Sequence, residues 1–271
     1  MKFGNESALI QEYRVMRFSD GNFSDRVIAL ARETPYTLFV NDEEILSIST
    51  LPISLKELFI GFLVSEDVLT DPSEILELRV DTSSRIVSIE LNTPADRIDK
   101  IRKKGVLTSG CAGGIVFSVE VAVEPQDIHD PLLDVSAEQI SRRMKEVDSF
   151  QGIYRITRGT HAAALATPYK VLTILEDIGR HNAIDKIIGH CFLEGIDPRD
   201  KLLLTTGRIT SEAVSKAARS KFPILVSRSS ASSTAVNIAR LVNMDIVTYA
   251  RAGKFNLFGH GGVNIIDHVL D

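Results

Sequence analysis

The stretch KLLLTTGRITSEAVSKAARSKFPILVSRSSASSTAVNIARLVNMDIVTYA, residues 201–250, decides the fold class. Its apolar runs at 201–205, 223–227 and 245–250 have the length and bounds of buried strands. Between them, 210–220 and 231–242 carry apolar residues at helical spacing. Working back towards the N-terminus, 181–193 reads as a helix with Ile184, Ile187, Ile188, Cys191 and Phe192 on one face. Residues 152–157 and 170–175 read as strands, and 136–149 as a helix opening after Asp134, Val135 and Ser136. The order is α-β-β-α-β-α-β-α-β, which predicts a largely parallel sheet with helices on both faces. In such sheets ligands sit beyond the carboxyl ends of the strands. Those ends carry EDIGRHN, TTGRITS and SRSSASS, each opening a helix. Helix N-termini converging on one edge offer free N–H groups and positive dipole ends to an anion.

Upstream the pattern is mixed. Alternating runs at 11–18 and 25–32 read as strands. Residues 36–41 and 44–49 flank a hairpin turn placed at Asp42-Glu43. Ser54 with Glu57 three residues on has the form of a capping box, ahead of Leu55, Leu58, Phe59, Phe62 and Leu63 at helical spacing. A strand pair follows at 75–80 and 85–91, then a short helix near 95–103 and the glycine-rich GVLTSGCAGGI at 105–115. Residues 120–134, with Pro125, Pro131 and several acidic residues, read as a linker. The expectation is two domains. A smaller mixed α+β domain spans 1–133, including the Cys111 loop and the linker, and an α/β domain spans 134–271.

Composition limits the function. The 271 residues carry a net charge of −5, 44% hydrophobic and 25% charged residues, the balance of a soluble globular chain. An acidic chain is poorly suited to a sequence-blind grip on nucleic acid. No run of 18 or more apolar residues and no signal-peptide core appear, so no membrane partner and a cytoplasmic location are expected. Two cysteines, Cys111 and Cys191, exclude a disulfide scaffold and any cysteine-rich metal site. Cys191 falls on an apolar helix stripe and suits core packing. Cys111 lies among glycines that permit tight turns and close approach, and successive N–H groups there could stabilise a thiolate. Its residues alone leave open a reactive thiol or an inert one. Arg180 and Arg208, each following a glycine at a strand-to-helix turn, suit bidentate phosphate binding or a structural ion pair. His181 shares the first of those turns, and His161 stands at a strand end, open to a binding or a core role. FNLFGH (Phe255, Asn256, Leu257, Phe258, Gly259 and His260) could stack on a flat pterin or guanine, or form an edge strand with Phe255 in the core.

EDIGRHNAIDKIIG (176–189) resembles the signature of the formate dehydrogenase accessory sulfur carrier proteins, the FdhD/NarQ family. ITRGTHAAAL (156–165), TTGRITSEAVSKAA (205–218), SRSSASSTAVNIA (227–239) and KFNLFGH (254–260) match further blocks in order. TPYTLFVN (34–41) and ELFIGFLVSEDVL (57–69) fit its N-terminal half, so the likeness runs from about residue 30 to 260. The resemblance implies a cytidine-deaminase-like three-layer C-terminal domain. It implies sulfur transfer from a cysteine desulfurase, as a persulfide on Cys111, to the molybdenum bis-molybdopterin guanine dinucleotide cofactor of formate dehydrogenase. That cofactor is cargo, and the family associates the FNLFGH block with holding it. The chain departs from the family in two places. Gly114 stands where a second cysteine is common, and Arg158 where glycine is usual. A one-thiol persulfide mechanism survives the first change, and a cofactor chaperone without sulfur transfer is the alternative reading. A zinc deaminase or another hydrolase on this fold is not expected, because the relevant helix opens GRITSEA with no cysteine to ligate zinc. A homodimer is allowed for, since folds of this sort often pair.

Overall fold

The structure, a computed structural model, describes residues 6–103 and 133–266. Cys111, the 105–115 loop and nearly all of the expected linker lie outside the described residues. A one-turn helix α1 (Glu6–Leu9) leads into β1 (Ile10–Ser19) and β2 (Asn22–Ala31), an antiparallel hairpin in register from Ile10–Ala31 to Ser19–Asn22. β3 (Thr34–Val40) and β4 (Glu43–Thr50) precede α2 (Leu55–Ser65). β5 (Ile75–Asp81), β6 (Ile86–Leu91) and α3 (Ala95–Lys103) follow, and the four strands form one sheet in the order β4-β3-β6-β5. The β3–β4 turn falls at Asn41-Asp42, one residue earlier than its sequence suggests. Both residues have positive φ (50° and 63°), the twist-matched geometry that short hairpins favour. Ser54 sits in the left-handed region (φ 53°) and makes no side-chain cap. An N-cap needs extended backbone, so the expected capping box is absent there.

The C-terminal part begins with β7 (Asp134–Val135), α4 (Ala137–Ser149) and α5 (Ile153–Thr157). Ser136 and Gln139 form a complete capping box for α4. Then come β8 (His161–Ala166), β9 (Val171–Asp177), α6 (Arg180–Leu193), β10 (Leu202–Thr205), α7 (Ser211–Arg219), β11 (Ile224–Ser227), α8 (Ser233–Leu241), β12 (Asp245–Arg251), β13 (Lys254–Phe258) and β14 (Asn264–Ile265). Six strands form a sheet in the order β13-β12-β11-β10-β8-β9. Only β10–β11 and β11–β12 pair parallel, while β8, β9 and β13 run antiparallel to their neighbours. The sheet is therefore mixed and not largely parallel. Ala163, Leu165, Leu203, Leu225 and Ile246 face α6, α7 and α8. Ala164, Leu204, Val226 and Val247 face Ile140, Met144 and Val147 of α4, so helices cover both faces.

Residues 152–157 were expected in a strand, and the strand instead begins at His161. The Glu176 carboxylate is buried and accepts the N–H groups of Ile153 (2.7 Å) and Tyr154 (2.8 Å), which stabilises a helix start at that point. The alanine-rich β8 has weak strand propensity but lies between β9 and β10, where burial on both faces overrides it.

α2 joins the two sheets by crossing α6 at backbone contact. A Cβ on Gly61 would lie 1.8 Å from the Asp185 carbonyl oxygen, and one on Gly189 would lie 1.9 Å from that of Glu57. Two ion pairs close this junction. Lys216 Nζ donates to both Asp185 oxygens at 3.0 Å and to Ser65 Oγ at 2.9 Å. Lys186 Nζ meets Asp177 Oδ2 at 2.7 Å and the carbonyls of Leu51 and Glu176 at 3.2 and 3.0 Å. Asp177 Oδ2 also accepts from the Thr50 hydroxyl and the Leu51 N–H. No helix among the described residues is long and apolar enough to cross a membrane.

Candidate functional site

The carboxyl ends of β10 and β11 point the same way. Antiparallel pairing brings the start of β8 and the end of β9 to the same edge, with His161 opposite Asp177. Arg180, His181 and Arg208 follow β9 and β10 at this edge, beside His161. The structure thus brings four of the expected residues together.

Gly179 caps α6 without a side-chain hydrogen bond, so no side chain occupies the first-turn N–H groups. Its backbone is extended (φ −95°), not the special angle that a glycine there suggests. A side chain there would crowd the Asn182 amide, 3.1 Å from where a Cβ would stand. Asn182 is itself held by Asp177 Oδ1 and the Ser49 carbonyl, both at 2.9 Å. The stem of Arg180 lies over Gly207, whose missing Cβ would be 2.8 Å from Arg180 Cβ. Arg180 Nε is buried and has no hydrogen-bond partner. Arg208 is exposed, and no described residue pairs with it.

His181 is held at both ring nitrogens, by Glu212 Oε2 and by Thr210 Oγ1, each at 2.9 Å. Against the opposing effect of burial, the His181 contact, then the charges of Lys216 and Arg180, hold the Glu212 carboxyl down at about 2. Burial, then the charges of Arg180 and Arg228, push the His161 imidazole below its usual range. The neutral imidazole is therefore favoured at His161, with one ring nitrogen to donate and one to accept a hydrogen bond.

Reading the sequence did not single out Arg228, Tyr154 or Glu212. Arg228 follows β11 as Arg208 follows β10, so its place in the repeating pattern was the available signal. It pairs with Asp148 (3.1 Å), and its guanidinium lies 5.7 Å from the Tyr154 ring centroid. Arg158, in the left-handed region (φ 57°), lies 5.1 Å from the same ring. The Arg228 contact, then Arg158, hold the Tyr154 phenol below its usual range. Four arginines thus line this edge.

The FNLFGH block lies elsewhere. β13 is the far edge strand, with Phe255 and Leu257 packed on the α4-side core and Asn256 and Phe258 exposed. Between β8 and β13 lie β10, β11 and β12, a lateral distance of roughly 19 Å at the usual strand spacing. β13 also runs away from the arginine edge, since Phe258 pairs with Ile246 near the start of β12. Asp245, buried at that opposite edge, accepts the N–H groups of His260, Gly261 (3.1 Å) and Val263 (2.9 Å). His260 Nε2 is buried without a partner. A ligand touching Arg180 and His260 together must therefore be long.

Comparison with known proteins covers nearly the same span of the chain. A profile of the FdhD/NarQ family matches residues 31–263. The sulfur carrier protein FdhD of Bacillus subtilis (strain 168) is 34% identical over 246 residues, covering 91% of this chain and 94% of that protein. The protein of the same name from Staphylococcus aureus (strain MRSA252) is 32% identical over 248 residues, covering 91% and 93%. The crystal structure of a formate dehydrogenase accessory protein from Desulfotalea psychrophila superposes with a TM-score of 0.74 at 27% identity, covering 93% of this chain and 97% of that one.

Proposed function

Because the chain belongs to the FdhD/NarQ family, we propose that it is a sulfur carrier serving a formate dehydrogenase, with Cys111 as the carrying thiol. In this reading the Cys111 thiolate attacks the terminal sulfur of a desulfurase-bound persulfide. A new S–S bond forms at Cys111 as the donor's S–S bond breaks, and the donor leaves as a thiolate. The terminal sulfur then passes to the molybdenum bis-molybdopterin guanine dinucleotide, which is substrate here and not a resident cofactor. The C-terminal layering is read as deaminase-like, turned from hydrolysis to holding that cargo.

The observation that carries the reading is the arginine-lined edge. Arg180, Arg208 and Arg228 stand beside the uncapped N-terminus of α6, an arrangement suited to phosphate oxygens. The exposed face of β13, with Asn256 and Phe258, would receive a flat ring at the other end of an extended cargo. Two guanine dinucleotide arms give the cargo that length.

Electron balance restricts the last step. Sulfane sulfur becomes sulfide only by gaining two electrons. Gly114 removes the neighbouring thiol of the usual family pattern. Cys191 cannot replace it, because it is buried and burial pushes its thiol up to about 12. Two external thiols, oxidised to one disulfide, would supply the electrons.

Mass spectrometry after incubation with a desulfurase and cysteine tests the reading. The expected result is one added sulfur atom on Cys111, removable by a thiol reductant. No adduct, together with full support of formate dehydrogenase by Cys111→Ala, would overturn sulfur transfer and favour the chaperone reading.

A further inference from the structure

Of the four arginines on this edge, Arg158 has little structural reason to be an arginine. It follows the last turn of α5 in the left-handed region (φ 57°), a conformation that glycine adopts without strain. The cap it forms is made by its backbone N–H, which donates to the Tyr154 carbonyl at 2.8 Å. Glycine would make the same bond. The Arg158 side chain is exposed and has no carboxylate partner among the described residues. What it does reach is Tyr154. Its guanidinium carbon lies 5.1 Å from the ring centroid, and that of Arg228 lies 5.7 Å from the same centroid.

An aromatic ring attracts each cation, but two like charges gathered at one ring repel each other. Asp148 pairs with Arg228 alone, and the Glu176 carboxylate is committed to the N–H groups of Ile153 and Tyr154 and the Thr160 hydroxyl. An added anion would relieve the repulsion that remains. Tyr154 and Arg228 also line a recess of about 20 Å³ with Glu176 and Thr206, so the corner is not flat. It adjoins the position held by Arg180. The Arg180 stem lies over Gly207, just past β10, and Arg228 follows the neighbouring β11, about 5 Å away at the usual strand spacing. We propose that Arg158 and Arg228, gathered at the Tyr154 ring, form a second phosphate subsite beside Arg180, so that the edge selects a diphosphate over a monophosphate. One phosphate sits at Arg180 and the start of α6, and the next at the two guanidinium groups of the Tyr154 corner. The proposal rests on the reading of this edge as a phosphate site. It does not depend on sulfur transfer.

Calorimetric titration of the full chain with GDP and with GMP tests it. Wild type should bind GDP the more tightly. Arg158→Gly should weaken GDP roughly fivefold or more, and GMP by less than about twofold. Its thermal midpoint should be unchanged or slightly raised, because glycine relieves the left-handed backbone. Weaker binding by a protein that is no less stable does not come from misfolding. Arg158→Gln, which removes the charge and keeps the left-handed demand, should show the same loss for GDP, and Arg158→Lys should recover part of it. Equal weakening of GDP and GMP would overturn the second subsite. So would unchanged GDP affinity in Arg158→Gly and Arg158→Gln when Arg180→Ala weakens it, and the phosphate edge would then stand without Arg158. If neither the Arg158 variants nor Arg180→Ala change either nucleotide, the phosphate reading of the edge fails and this proposal fails with it.

Discussion

The α2–α6 junction and the arginine edge share α6, and they use charge in opposite ways. At the junction, Lys186 and Lys216 are buried and each meets a carboxylate plus further acceptors. At the edge, Arg180 keeps a buried Nε with no partner, Arg208 has no ion pair among described residues, and Arg228 has a single partly exposed one. Buried charges that satisfy one another hold a structure in one arrangement. Cations left short of partners are the ones that can bind an anion. The difference separates residues that shape the molecule from residues that can act on a ligand.

Three substitutions would break or sharpen this contrast. The largest effect is expected at the junction. Lys216→Met strands the Asp185 carboxylate, which burial already raises to about 6, and should cost about 3–5 kcal/mol. Thermal melting should then fall by roughly 10 °C, with part of the loss recovered in the Lys216→Met, Asp185→Asn double variant. At the edge the order should invert. Arg180→Ala should change stability by less than about 1 kcal/mol, yet weaken GDP binding by roughly tenfold or more in calorimetry. Unchanged affinity would make Arg180 structural. The smallest effect belongs to the His181–Glu212 pair. Glu212 is held at about 2 in the folded protein against an ordinary value near 4.5. Its contribution is therefore full above about pH 4.5 and lost as pH falls towards 2. The side chain is 55% exposed, so Glu212→Gln should cost under about 1 kcal/mol at neutral pH. Denaturant midpoints of wild type and variant should converge on acidification.

Much of the site was legible in the sequence, and the reason is local. Arg180 and Arg208 stand five and three residues past the apolar runs at 170–175 and 201–205, and strand ends in an alternating pattern share an edge. The same logic extended to Arg228 but was not applied, because no glycine marks that turn. The strand at 161–166 was harder to read. HAAALA has no β-branched residue, and only its place between β9 and β10 makes it a strand. IYRIT alternates like a strand, yet a glutamate more than twenty residues away stabilises its helical start. The failed cap at Ser54 shows the same limit. Its spacing suited a cap, but the chain enters α2 through a left-handed residue.

By itself, the sequence determined the layered α/β class, the arginines at strand ends, and a count of only two thiols. Those features depend on periodicity and composition, which are properties of neighbouring residues. The tertiary structure alone decided that β8, β9 and β13 run antiparallel, and so carry FNLFGH away from the arginines. It also decided which lysine meets which aspartate, and that Gly61 and Gly189 let two helices touch backbone to backbone. Strand direction and helix crossing are set by packing between segments far apart in the chain, and no local pattern of residues encodes them.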